Sequence, residues 1–98
     1  MGIIMDTTLG LQIGQVVKSK AGRDRNRVFV ILEIIDDSFV LVVDGDLRKL
    51  SSPKKKKIKH LIVYNTILEE IINMLKCNQK INDATVRKLL EPFLTDKR

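Results

Sequence analysis

Three alternating arginines, Arg23, Arg25 and Arg27, and a run of four lysines, Lys54 to Lys57, are the residues of this chain best suited to chemistry. The chemistry is the holding of phosphate: guanidinium groups fork onto phosphate oxygens, and ammonium groups neutralise them as point charges. The arginines flank the turn Ala21-Gly22-Arg-Asp-Arg-Asn26, where Gly22 supplies a positive φ and Asn26 tolerates one. In an extended segment the i, i+2 spacing aims side chains to one side, and Lys18 and Lys20 extend the same series. Backbone N–H groups around Gly22 carry no side-chain obstruction and can approach a phosphate closely. Lys54, Lys55, Lys56 and Lys57, with Lys59 beyond them, form the densest cluster of charge. Placed after Pro53, they read as a loop or strand entry that tracks a nucleic-acid backbone without reading bases. Arg48 and Lys49, just past the Asp44-Gly45-Asp46 reversal, add to the basic face. The plainer alternative is a set of solvated turn cations, with the lysine run also deterring edge pairing.

Charge is unevenly spread. Residues 16–60 hold twelve Lys or Arg against six Asp or Glu, whereas residues 61–98 hold six against five and residues 1–15 only Asp6. The excess behind the net charge of +6 therefore lies in one module, where it concentrates polyanions near one face.

Other chemistries find little support. The chain has no Walker-type loop, no Gly-x-Ser-x-Gly and no Cys/His pair, so an enzyme is not expected. Asp44-Gly45-Asp46 begins like a calcium loop but lacks the later bidentate Glu, and reads as a turn. His60 is the sole histidine and has no companions at ligand spacing, so neither a metal nor a cofactor is expected. No apolar run approaches the ~18 residues of a membrane span. The N-terminus lacks a secretory pattern, and Asp6 spoils a superficial myristoylation site. A cytoplasmic protein is expected. Cys77 is expected to be a small thiol in the core.

These cations need a scaffold. Residues 1–11 show no usable period and read as a loose leader. Strands are expected over 15–20, 27–35, 39–43, 47–50 and 58–64, with Gly, Asn and Asp at the reversals between them. The near-continuous apolar run from Arg27 to Ile35 marks a strand buried on both sides or strongly bent. Five short strands at close spacing point to a small curled barrel, with Phe29 and Phe39 in its core. From Thr66 the period becomes helical. Thr66-x-x-Glu69 has the form of a capping box, and Ile67, Ile71 and Leu75 lie on an apolar stripe. A second helix opens near Asn82-Asp83, places Val86, Leu89, Leu90 and Phe93 on one face, and falters at Pro92. Two short amphipathic helices joined this way make an αα-hairpin whose apolar faces need a partner.

The segment Gly14-x-Val-Val-x-Ser-x-Ala-Gly-Arg-Asp-Arg-x-Arg-x-Phe-Val resembles a KOW motif, a hairpin-and-loop element of ribosomal proteins and transcription elongation factors. Val43-Asp-Gly-Asp-Leu-Arg-Lys49 and Ser52-Pro-Lys-Lys-Lys-Lys-Ile-Lys-His-Leu61 extend the likeness to KOW-domain large-subunit ribosomal proteins of archaea and eukaryotes, and to short bacterial RNA-binding proteins similar to them. It covers residues 12–64, with Asn26 where many KOW loops carry glycine. The resemblance implies a mainly β fold, an SH3-like barrel over 12–64, followed by the helical hairpin over 65–98. It also implies binding of structured, mostly ribosomal RNA in a ribonucleoprotein, with a role in translation. The helical pair is not explained by the KOW motif. It keeps open a protein-interaction adaptor that docks a ribosomal or other protein partner. A KOW-type transcription factor on DNA is a third reading.

Overall fold

The computed structural model describes residues 2–77 and 80–94. Among them are six strands: β1 (Gly2–Ile4), β2 (Gln15–Ser19), β3 (Val28–Ile34), β4 (Phe39–Val43), β5 (Lys54–Lys57) and β6 (Leu61–Ile67). Two helices follow, α1 (Glu69–Lys76) and α2 (Asp83–Leu94). The strands form one antiparallel sheet in the order β1-β6-β2-β3-β4-β5.

Strand alternation divides the apolar residues between two cores. Val17, Phe29, Ile31, Val40, Val42, Leu61 and Val63 point to one face and pack with Leu11 and Ile58. Their neighbours Val16, Val28, Val30 and Val43 point to the other face, where Leu68, Ile71, Val86 and Leu90 cover them. The run in β3 is thus apolar because it is buried on both sides. A register shift between Ile31 and Glu33 opposite β4, and another between Gln15 and Val17 opposite β6, bend the sheet. Bending brings β4 and β6 side chains into one cluster although two strands separate them.

The expected barrel is not closed by hydrogen bonds: β1 and β5 are the two edges of the sheet. A 3-10 turn over Ile58–His60 separates β5 from β6, so the strand expected from residue 58 begins at Leu61. Residues 47–50 are not a strand, and the lysine run itself forms β5 against β4. Gly2–Ile4, expected within a loose leader, pairs with β6. Thr8 is stitched to the β3–β4 turn through Oγ1 to Asp36 O (2.6 Å) and N to Asp37 O (3.0 Å).

The helices also depart from expectation. β6 continues to Ile67, so Thr66 is a strand residue and forms no capping box; α1 starts after Leu68, whose N–H donates to Gly14 O at 2.7 Å. Here a tertiary hydrogen bond replaces the side-chain cap. Cys77 ends α1 and is exposed rather than core. Asn82 caps α2 by accepting from the Thr85 N–H at 2.8 Å. Pro92 does not stop α2, which runs through it to Leu94 among the described residues.

Both helices turn their apolar faces to the sheet, and α2 lies against β3. Ile71 is buried there, so the stripe expected to dock a partner is divided between β6, core and surface. The β4–β5 loop clasps α2: Leu50 N–H donates to Asp83 Oδ1 at 2.8 Å, and Arg87 Nη1 donates to Gly45 O at 2.6 Å. Gly45 has φ +78°, and a Cβ there would strike the Asp83 carbonyl. Gly45→Ala is therefore expected to cost about 2–3 kcal/mol by urea denaturation, through a left-handed backbone plus loss of the clasp. An effect below about 0.5 kcal/mol would show that the loop does not anchor α2.

Candidate nucleic-acid interface

The β2–β3 loop is built around Asp24, which closes a 3-10 turn over Gly22–Asp24 and is 3% exposed. Gly22 has φ 75° and Asn26 has φ 71°, so asparagine adopts the turn geometry expected of it. Lys56 Nζ lies 3.1 Å and Arg48 Nη2 3.3 Å from Asp24 Oδ2. Lys56 also donates to Ser19 Oγ at 3.5 Å. One buried carboxylate thus joins the β2–β3 loop, the β4–β5 loop and edge strand β5, across the gap that backbone pairing leaves. Lys20 N–H adds a bond to His60 O at 3.0 Å, which sets Lys20 beside the 58–60 turn that carries Lys59.

Burial alone raises the Asp24 pKa, but the hydrogen bond and charge of Lys56, then those of Arg48, outweigh it and hold the carboxyl below its ordinary value. A depressed folded-state pKa means that the unfolded chain binds the proton more readily. The stability contributed by Asp24 is then present above the unfolded value, ~3.9, and is lost as pH falls through the lower folded value. Urea midpoints taken downward from pH 6 should drop below about pH 4, and Asp24→Asn should flatten that drop. A drop unchanged in the variant would remove Asp24 from the account.

Strand geometry divides the lysines that the sequence presents as one cluster. Lys54 and Lys56 pair with Val42 and Val40, which face the core, while Lys55 and Lys57 pair with Leu41 and Phe39 on the other face. Lys56 is accordingly 12% exposed and engaged. Lys55 Nζ stands 4.7 Å and Lys57 Nζ 6.0 Å from the Phe39 ring centroid. Phe39 is half-buried beneath them, not a core residue. Arg27 is also engaged, with Nη1 2.8 Å from Asp44 Oδ2 and 3.9 Å from Asp46. Asp44 Oδ1 accepts from the N–H groups of Asp46 and Arg48, which makes this reversal a structural turn.

Three of the expected cations, Arg27, Arg48 and Lys56, therefore serve the fold. Lys18, Lys20, Arg23, Arg25, Lys49, Lys54, Lys55, Lys57 and Lys59 form no ion pair among the described residues. Lys18, Arg23 and Arg25 line a groove of about 850 Å³ whose far wall is α2. That wall contributes Arg87 and Lys88, two cations outside the set expected from the sequence. Helical period places them on the polar face of α2, but which loop that face meets is decided only by packing. Among the described residues no group of three or more His, Cys, Asp or Glu is placed to hold a metal, and no helix is long and apolar enough to cross a membrane.

No family model matches the chain. It is 33% identical over 63 residues to YbzG of Bacillus subtilis (strain 168), named as a ribosome-binding protein, covering 64% of this chain and 85% of that one. It is 42% identical over 89 residues to large ribosomal subunit protein eL14 of Desulfurococcus amylolyticus, covering 88% of this chain and 83% of that one. The second match runs well beyond a 12–64 module, so the likeness takes in part of the helical region as well as the strands. On these matches the chain belongs to a ribosomal-protein-like family that includes large ribosomal subunit protein eL14.

Proposed function

We propose that this protein is a non-catalytic, cytoplasmic RNA-binding protein that associates with the ribosome and holds structured RNA by its backbone phosphates. The observation that carries the reading is the Asp24 junction, which fixes three cation-bearing segments against one another while leaving Arg23, Arg25, Lys20 and Lys59 without ion pairs among the described residues. A polyphosphate supplies the anions that such a rim lacks. The names of the two relatives support ribosome association, and the KOW likeness of residues 12–64 supports RNA as the ligand. Burial of Ile71 weakens the adaptor reading, which needs that side chain at the surface.

Sedimentation of a cell lysate at low and high salt tests the proposal. The protein should travel with ribosomal fractions at low salt and leave them at high salt, and ribosomal RNA should compete for it better than duplex DNA. A protein that stays at the top of the gradient at low salt, or that prefers DNA, contradicts the reading.

A further inference from the structure

The groove between the β2–β3 loop and α2 has a composition that phosphate contacts alone do not explain. Its volume, about 850 Å³, falls within the roughly 300–1,000 Å³ of pockets that enclose small organic ligands. Lys18, Arg23 and Arg25 line one side and Lys88 the other, with Phe93 and Leu94 as the apolar lining. Of the acidic lining residues Asp24 and Asp44 are held in ion pairs, which leaves Asp46 and Glu91 to set against these cations. Phe93 is half-buried with its ring 6.2 Å from that of Tyr64, so packing fixes it without hiding it. An apolar, aromatic lining beneath cations that form no ion pair among the described residues fits an unstacked nucleobase with phosphates on either side. The base leaves water against Leu94, which is 47% exposed, and the accessible part of Phe93, and the flanking phosphates meet the rim. A fully stacked duplex presents no such base and would touch the rim alone.

We propose that this groove receives one unpaired nucleotide extruded from a folded RNA. The inference rests on the RNA-binding reading above. An acidic peptide with apolar side chains shares part of this chemistry. Cations outside the groove that form no ion pair among the described residues, Lys20 and Lys59 among them, suit a polyanion longer than the groove itself and favour RNA.

Three RNA hairpins with one common stem provide the test: one without a bulge, one with a single 2-aminopurine bulge, and one with an abasic bulge. The full chain should bind the 2-aminopurine hairpin about tenfold more tightly than the other two. Ala84 is exposed on α2 and lines the groove, so Ala84→Phe fills the space without removing core packing. That variant should lose the preference, and with it the 2-aminopurine fluorescence change, while its affinity for the unbulged hairpin stays within about twofold. Lys88→Ala should weaken the bulged complex about fivefold and serves should Ala84→Phe fail to fold. Equal affinity for all three hairpins overturns the extruded nucleotide and leaves RNA binding standing. Failure to bind any hairpin at low salt overturns both. Retention of an alternating Glu-Leu peptide, abolished by Ala84→Phe and without any bulge preference, assigns the groove to a protein segment and likewise overturns the proposal.

Discussion

Asp24→Asn is expected to destabilise the protein by about 3 kcal/mol, more than any surface substitution. The variant keeps the shape of the side chain and removes its charge. Lys56, 12% exposed, and Arg48, 30% exposed, would then lack a compensating anion. Removing one partner from a buried pair leaves an unmatched charge out of water, and that penalty dominates the effect. Urea denaturation reads it directly. Adding Lys56→Met to an Asp24→Leu background should recover part of the loss, because it removes the more buried unmatched cation and leaves only Arg48, 30% exposed, without its anion. A single-variant cost below about 0.5 kcal/mol would mean that the junction does not hold the sheet edge to the loop.

Arg23→Glu with Arg25→Glu should leave stability nearly unchanged and reduce affinity for ribosomal RNA by at least about hundredfold. Both side chains are exposed and lie outside every ion pair among the described residues, so the fold loses little. Each lost charge-assisted contact is worth about 1.5–3 kcal/mol, and reversal adds repulsion. The salt dependence should change in step. An interface of five phosphate contacts would give a log–log slope of about −3.5 to −4.5, and losing two of them should flatten it by about 1.4–1.8. Filter binding across a salt series gives both numbers, and an unchanged affinity would remove the loop from the interface. Lys55→Glu with Lys57→Glu is the matching probe on β5. Lys56 is not suitable, because its reversal would break the fold before it reported on RNA.

Much of the scaffold is written in short-range signals. The apolar run of β3, the Asx turn at Asp36-Asp37-Ser38 and the reversal at Asp44 all form where their residue types place them. Asp36 shows how local such a signal is: its carboxylate accepts the Ser38 and Phe39 N–H groups, and those bonds lower its pKa. Elsewhere a distant partner decides the outcome against the local signal. Lysine has low β-propensity, yet Lys54–Lys57 is a strand because β4 offers an open edge for pairing. Thr66 carries a helix-start signal, yet pairing of Ile67 with Gln15 keeps it in β6. Gly2–Ile4 shows no period because a three-residue edge strand is too short to display one.

The candidate site divides in the same way. The exposed placement of Arg23 and Arg25 in a turn was legible from spacing and turn chemistry, since exposed loop cations depend on little else. The structural duty of Arg27, Arg48 and Lys56 was not legible, because each is set by a carboxylate 17 to 32 positions away in the chain. Asp24 sits between two arginines and reads as one more solvated turn residue until the fold buries it. Arg87 and Lys88 belong to a helix whose docking on β3 no local pattern specifies.

Ultraviolet cross-linking of the protein in purified ribosomal particles, followed by mass spectrometry of the RNA-linked peptides, tests the central claim most directly. The links should fall in the peptides that carry Lys18–Arg25, Lys54–Lys59 and Arg87–Phe93. Links confined to β1 and α1, on segments that hold none of the proposed contacts, would contradict it.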